Sequence, residues 1–598
     1  MKRACVLVAL LCAAALAGAG AQPETIGHPV FPLLDSAGVN VLRAGTPVSP
    51  VRTCGGCHDT GYIETHNTHV ALDPLGDPLL GEAPGARHVG GGAGNAAGLD
   101  CFLCHITQPD NDARLAALRT GEPAWAAAAT LARVGLIRRE GDDWRYVAGG
   151  FDPFGRVYPE ALGLRIPSSR SCGQCHGLVH AGGAPLVISY DDTENRVTRT
   201  TGLVYAAQRL VDSGVNLAGK ESLTLPWDVH AERLVECHNC HFSLNNPAYA
   251  AAPSTTRPGH LGFDSRRQPI GEYLKRPSHQ LARGDSPLGA IAGEPGGTMR
   301  LCADCHDLAR THAWLPYRSR HMSRVACEAC HVPVVRAAAL RTVDWTVLTP
   351  ARGPRVEYRG VRGAVDDPAI LVDGYRPVLL PRTHEGAPAR LAPYNLVSFW
   401  YWESGDPPRP VPRADLERAF FAGEDDHPDI VAAFDSDGDG VLAPAERILD
   451  SDAKVRAARA RLATVGVENA RITAELRAYG LHHGVASGAW ATRACERCHS
   501  RADGANAPLQ LAAAVPGGVV PVPVHDAGGA RMDGAVTVVA DGALHYAPET
   551  MGAGFYLLGL DRARAADAVG AVALVLVFVG AAIHGTARAL AARERNAK

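Results

Sequence analysis

The chain is poor in aromatic side chains, 6% of its 598 residues, and has only 5 methionines. It has no excess of basic charge either: 59 Lys and Arg against 62 Asp and Glu leave a net charge of -3, which excludes a broad attraction to nucleic acid or other polyanions. Spare thiols are lacking too. Of the 16 cysteines, Cys5 and Cys12 lie in an N-terminal segment expected to be cleaved, and the other 14 all fall in copies of one five-residue pattern. None is left over for a separate disulfide framework, a zinc site or a catalytic nucleophile.

What the chain has instead is repetition. Cys54-Gly-Gly-Cys57-His58 returns as Cys101-Phe-Leu-Cys104-His105, Cys172-Gly-Gln-Cys175-His176, Cys237-His-Asn-Cys240-His241, Cys302-Ala-Asp-Cys305-His306, Cys327-Glu-Ala-Cys330-His331 and Cys495-Glu-Arg-Cys498-His499. C-x-x-C-H is the attachment signature of c-type haem. Its two thiols add to the two vinyl groups on one edge of the porphyrin, and the following imidazole turns back onto the iron. Zinc ribbons and disulfide frameworks also use paired cysteines. Neither calls for a histidine after every second cysteine, and histidine makes up only 25 of the 598 residues. Seven covalent c-type haems are therefore expected, large flat cofactors that would supply much of the apolar core.

Two apolar runs stand at the ends of the chain. Met1-Lys2-Arg3, the stretch from Ala4 to Ala17 and the small residues Ala19-Gly20-Ala21 read as a secretory signal peptide over residues 1–21. Leu11 before Cys12 argues against a lipoprotein signal. Ala568 to Ala587, within a segment 566–587, is nearly uncharged and long enough to cross a bilayer as a helix; a buried core helix is the alternative. The tail 588–598 carries Arg588, Arg593, Arg595 and Lys598 against Glu594, as the positive-inside rule expects of a cytoplasmic end. The haem region would then face the periplasm, held to a bacterial inner membrane by one C-terminal helix. Between the ends, the motif spacing suggests a six-haem region over 22–331, an inserted subdomain over 332–494, and the seventh haem with a membrane-proximal segment over 495–565.

Local patterns are weaker. Residues 22–51 read as a loop-rich lead-in, Ala113–Arg139 as a helical patch, and Trp144–Val157 as a hairpin around Gly149-Gly150. Leu186–Ser189 with Arg196–Thr201 reads as a strand pair, and Arg501–Met551 as a short β segment. Phe399-Trp-Tyr-Trp402 reads as a small hydrophobic core, with haem stacking or a docking surface as alternatives. The run from Asp435 to Glu446 fits the EF-hand loop, with Asp435, Asp437 and Asp439 at positions 1, 3 and 5, Gly440 at 6, the Val441 carbonyl at 7 and a bidentate Glu446 at 12. One structural Ca2+ is expected there, with an exiting helix from Pro444 and a further helix over Ala453–Val465; a solvated acidic turn is the alternative.

The seven motifs, spanning Cys54 to His499, resemble those of the multihaem c-type cytochromes. The resemblance implies bis-histidine haems and electron transfer between closely packed cofactors. The fold class it implies is a multihaem cytochrome, mainly α and irregular with few short strands, a haem-packed core and one C-terminal transmembrane helix. It also makes His58, His105, His176, His241, His306, His331 and His499 the proximal ligands. Besides the seven that end the motifs, 17 of the 25 histidines lie before the C-terminal run. The preferred distal ligands among them are His69, His88, His230, His279, His312, His321 and His483, followed by His66, His180, His238 and His482. The scarcity of Met disfavours methionine ligation.

Two functions compete. One is a relay between a quinol-oxidising membrane partner and a periplasmic or extracellular acceptor in anaerobic respiration. The other is a reductase of a small oxyanion or sulfur compound, of nitrite, hydroxylamine or tetrathionate type, with one open haem. The relay is preferred because the seven motifs are uniform, with no lysine in place of a proximal histidine. The C-terminal run also holds no histidine pair for a haem of its own, which calls for a separate cytochrome b or similar integral subunit.

Overall fold

In the computed structural model the described residues are 28–58, 60, 100–165, 167–176, 208–240, 302–364, 367, 369–384, 387–500, 504–524, 530–549, 555 and 564–596. The segment read as a signal peptide, the strand pair expected between Leu186 and Thr201, and His66, His69, His88, His180, His241 and His279 lie outside them.

Strands β1 (Ala339–Asp344), β2 (Arg355–Arg359), β3 (Val378–His384), β4 (Ala387–Ser404) and β5 (Arg471–Gly480) make up most of a seven-stranded sheet, completed by Arg409–Pro410 and Val522–Pro523. β4, 18 residues long, is its spine. It pairs antiparallel with β5 from Tyr394↔Gly480 to Glu403↔Arg471, antiparallel with β3 along its first part, and parallel with β1 at Ser398–Trp400.

Side chains alternate across a strand, and β4 is covered on both faces. Val397, Phe399 and Tyr401 enter one core with the helices Arg413–Phe420, Pro428–Phe434 and Asp452–Thr464. Tyr394, Leu396 and Trp400 enter a second core, closed by a three-stranded sheet of Leu509–Ala512, Leu544–Pro548 and Gly534–Val538. Every residue from Leu391 to Trp402 is therefore buried. Three of its polar side chains donate to the backbone: the Asn395 amide to Leu340 O at 2.8 Å, and the indoles of Trp400 and Trp402 to Val519 O and Thr346 O at 2.8 and 3.0 Å.

This corrects the fold class expected from the sequence. The described chain is mixed helix and strand, and its sheet region is packed by side chains. A strand buried on both faces loses the alternation that marks a strand, so periodicity cannot separate it from a buried helix. Phe399–Trp402 belongs to this core. The first core also takes in Leu210, Val215, Leu217, Leu223 and Leu225, from ahead of the fourth motif, and the second takes in Ala326.

A third cluster, including Leu33, Val41, Phe102, Ile106, Leu131, Ile137 and Val157, packs the N-terminal part. The helix expected over Ala113–Arg139 is broken into Asn111–Arg119, a 3-10 turn at Pro123–Trp125 and Ala126–Ala129, as Pro123 requires. The hairpin lies earlier than expected, pairing Ile137–Glu140 with Asp143–Tyr146. Its turn uses Gly141 at φ 63°, whereas Gly149 and Gly150 form a 3-10 turn.

At the other end, Arg564–Asn596 is one 33-residue helix. From Ala568 onward it is long and apolar enough to cross a membrane, with a mean hydropathy of 2.2 over its best window. It runs on beyond Ala587 because the following residues are mostly Ala and Arg, good helix formers.

Asp100 is the polar anchor of the N-terminal part. Its carboxylate caps the helix Cys101–His105 by accepting the amides of Phe102 and Leu103 at 3.1 and 3.3 Å. It also accepts the Thr130 hydroxyl at 2.8 Å and lies 3.4 Å from Arg114 Nε; Asp100 and Arg114 are each 2% exposed. Asp100→Ala would leave a buried guanidinium without its counter-charge, so a loss of about 3–5 kcal/mol is expected in denaturant unfolding. A loss below roughly 1 kcal/mol, the range of exposed pairs, would show that this pair does not anchor the region.

Candidate metal centres

Each motif is built on a single turn. In the first, Ser49 caps the helix Pro50–Gly55 and the His58 amide donates to Cys54 O at 2.9 Å. His306 to Cys302 O and His499 to Cys495 O repeat that bond at 2.9 Å. The second, third and sixth motifs lie in the helices Cys101–His105, Ser169–His176 and Cys327–His331, and the fourth begins with Cys237–Cys240. Positions i, i+3 and i+4 of a helical turn share one face. The spacing C-x-x-C-H therefore presents two thiols and an imidazole to the same side.

Among the described residues, four motif histidines face a second histidine. Ring centroids are 6.4 Å apart for His28 and His58, 6.2 Å for His230 and His306, 6.0 Å for His312 and His331, and 6.3 Å for His321 and His499. Two imidazoles on opposite sides of one metal need roughly 6 Å: two metal–nitrogen bonds of about 2 Å, plus about 1 Å from each nitrogen to its ring centre. The four separations fit an axially ligated metal.

The other ring nitrogens agree. Nδ1 of His28 meets Pro29 O at 2.8 Å, that of His312 meets Leu308 O at 3.3 Å, and that of His321 meets Tyr317 O at 3.3 Å. Nδ1 of His331 meets Ala486 O at 3.0 Å, and that of His105 meets Arg165 O at 3.1 Å. A backbone carbonyl accepts only from N–H, so these contacts fix the proton on Nδ1 and leave the Nε2 lone pair for a metal. His230 differs in having the Asp228 carboxylate 3.3 Å from its Nδ1, a contact that lifts it above the ordinary imidazole range.

Of the histidines expected to act as distal ligands, His230 and His321 pass over the next motif in sequence to reach the one after it, and His312 meets the next motif. His230 precedes the fourth motif and meets the fifth, His312 follows the fifth and meets the sixth, and His321 precedes the sixth and meets the seventh. His28, in the segment read as a lead-in, is the residue that sequence reasoning misses. Its signal was available, since it is the one histidine ahead of the first motif. His69, His88 and His279 lie outside the described residues, as do the rings of His176 and His238. His483 is partly buried after β5. His482 turns to Glu328, with Nδ1 3.3 Å from Oε1. Burial works to raise Glu328, but that bond and Arg382 at 3.5 Å hold it at about 2.

Neighbouring motifs also touch in sequence order. The Cys54 and Cys101 thiols are hydrogen-bonded, and Arg165 N donates to His105 O at 2.9 Å just ahead of the third motif. Ser169 N donates to the Glu236 carboxylate at 2.6 Å and Ser169 Oγ accepts from Cys237 N at 3.0 Å, joining the third motif to the fourth. Thiol contacts join Cys172 to Cys237 and Cys302 to Cys327, and hold Cys237 and Cys327 each down to about 7. Thr492 N donates to Cys330 O at 2.8 Å, tying the sixth motif to the approach of the seventh.

In the acidic loop, carboxylate oxygens of Asp435, Asp437 and Asp439 lie within 4.8 Å of one another. Asp435 accepts the amides of Gly438 and Gly440 at 2.6 and 2.8 Å, and Gly440 takes φ 82°, the left-handed turn that the sixth loop position requires. The Val441 amide donates to Asp439 at 2.7 Å. Glu446 closes the loop by accepting from Ser436 N and Oγ at 2.6 and 2.5 Å and from Ala443 N at 2.9 Å. No helix starts at Pro444, but the helix expected over Ala453–Val465 is present as Asp452–Thr464, capped by Ser451.

No family model and no curated protein matches the chain. Among solved structures, an octaheme cytochrome c from Shewanella oneidensis is similar over 71% of this chain and 78% of its own, at 12% identity and a TM-score of 0.32. So loose a likeness carries no argument, and the functional reading rests on the motifs and the histidine geometry.

The pairs differ in ring orientation. The interplanar angle is 20° for His28 and His58, but 79° for His312 and His331 and 80° for His321 and His499. Near-parallel axial imidazoles split the two π-type d orbitals of a low-spin ferric iron, and near-perpendicular ones leave them almost degenerate. EPR of the holoprotein is expected to show a rhombic low-spin signal from the first motif, distinct from the more anisotropic signals of the sixth and seventh. His28→Ala is expected to remove the rhombic signal and leave one high-spin haem that binds CO; an unchanged spectrum would exclude His28 as a ligand.

Proposed function

We propose that the chain is a multihaem c-type cytochrome whose seven motifs each hold one covalent haem. Within that class, we read it as a membrane-anchored periplasmic relay, passing electrons between a quinol-oxidising membrane partner and a periplasmic or extracellular acceptor. Haem, when bound, supplies a one-electron ferric/ferrous couple.

The observation that carries the relay reading is the pairing of imidazoles at four motifs. His28 with His58, His230 with His306, His312 with His331 and His321 with His499 would fill both axial positions, leaving no face for a substrate. The second, third and fourth motifs would draw their partners from His69, His88, His279 and His483. The residues would hold the iron and fix the ring planes, and the backbone-carbonyl contacts keep Nδ1 of His28, His312, His321 and His331 protonated. The motif-to-motif contacts support short transfer distances.

The helix from Ala568 supports a single-pass anchor, with the haem region on the periplasmic side. It carries one histidine, His584, so a cytochrome b or another quinol-oxidising subunit would deliver electrons. The domain divisions at 22–331, 332–494 and 495–565 are part of the same proposal. The loop from Asp435 to Glu446 would hold one Ca2+ through Asp435, Asp437, Asp439, Val441 O and Glu446, fastening two helices of the first core.

With the membrane partner and a menaquinol analogue, all seven haems of the full chain are expected to become reduced. Deleting Ala568–Lys598 is expected to abolish that reduction while leaving reduction by dithionite intact. Equal quinol-driven reduction after the deletion would sink the membrane relay. A CO-binding, high-spin haem in the wild-type protein would favour the reductase reading instead.

Calcium is expected to raise the thermal midpoint of the holoprotein, and EGTA to lower it. In the double variant Asp435→Asn with Asp439→Asn the two midpoints should coincide; a calcium effect that survives in this variant would place the ion elsewhere.

A further inference from the structure

Asp228 is 2% exposed, and its carboxylate organises two segments. Oδ1 accepts the His230 amide at 2.7 Å and lies 3.3 Å from His230 Nδ1. Oδ2 accepts the amides of Gly484 and Val485 at 2.9 Å each. The Nδ1 atoms of the other paired histidines, at His28, His312, His321 and His331, meet neutral groups: backbone carbonyls in all four and, at His312, also the Thr311 hydroxyl at 2.9 Å. His230 alone among these meets a full negative charge.

A carboxylate behind a ligand imidazole strengthens its donation to the metal, and second-shell hydrogen bonding is one of the levers that set a haem potential. We propose that Asp228 is a positioning residue that sets the fifth-motif centre apart, lowering the reduction potential of the iron shared by His230 and His306. The added negative charge and the stronger imidazole donor both favour the ferric state. Arg233, the nearby cation, acts in the opposite sense, but it is exposed. Solvent screens an exposed charge far more than a buried one, so Asp228 dominates.

The same carboxylate has a second reach. Val229 N donates to Val485 O at 2.9 Å, Ala486 N donates to His331 O at 2.7 Å, and Ala486 O faces His331 Nδ1. Residues 484–486 thus form a strap between the distal side of the fifth centre and the proximal side of the sixth. A purely structural role for Asp228 would disturb both centres; a charge effect would move the potential of one.

The proposal rests on the reading of His230 and His306 as ligands of one haem, and His230→Ala tests that reading separately. It must give one high-spin, CO-binding haem; a protein that stays wholly low-spin overturns the ligand reading whatever Asp228 does. For Asp228 itself, the experiment is a spectroelectrochemical titration of the full holoprotein with seven haems per chain. Asp228→Asn is expected to stay low-spin while one midpoint potential moves up and the other six hold. Asp228→Glu, which keeps the charge, is expected to restore the wild-type value. If the amide variant does not fold, Asp228→Ser, whose hydroxyl can still cap His230, takes its place with the same expectation. No upward shift, a shift in both the fifth and sixth centres, or a Glu variant that behaves like the uncharged ones would each overturn the proposal.

Discussion

The separation of 6.0–6.4 Å between paired imidazole rings is the constraint on which the rest of this chain depends. Ordinary aromatic contacts span this distance too, as Trp125 and Trp144 do at 6.4 Å, but a direct hydrogen bond would pull the histidine nitrogens to about 3 Å. Four pairs held at one distance, with Nδ1 tied back in most of them, need a scaffold that fixes each ring from behind. The supports of His28, His230, His312 and His321 are local, within four residues, but others come from far along the chain. Ala486 O backs His331 across 155 residues, and Arg165 O backs His105 across 60.

The large sheet provides much of that scaffold. Ala326 N donates to Leu391 O at 2.9 Å, so the sixth motif hangs from the start of β4. Arg376 donates to Arg497 O at 2.8 Å inside the seventh motif, and the strap after β5 reaches both His331 and Asp228. A long strand covered on both faces and filled with Trp400, Trp402 and Phe399 deforms little, because a close-packed interior resists displacement. The motif-free stretch between the sixth and seventh motifs thus carries the rigid body to which the last motifs are fastened.

What the sequence disclosed follows the range of the interactions. The motifs are legible because five adjacent residues contain their whole geometry, one helical turn with three groups on one face. The acidic loop is legible for the same reason, and so is the apolar C-terminal helix. Which histidine faces which motif is not written locally. His321 stands ahead of the sixth motif yet meets the seventh, and His28 lies where no pattern marks it. β4 escaped because burial on both sides removes the alternation by which strands are recognised, and Asp228 escaped because a lone aspartate before a short helix reads as an ordinary cap.

Contact between thiols of successive motifs has a consequence for how the polypeptide is made. Cys54 meets Cys101, Cys172 meets Cys237 and Cys302 meets Cys327. Where conditions are oxidising, two such sulfurs can couple by giving up two electrons and two protons. Each coupling would take one anchoring point from two motifs at once, and three couplings would disable six of the seven. On the proposed reading of these motifs as haem sites, such coupling would compete with sulfur alkylation, and a reductant that keeps the thiols free would favour attachment.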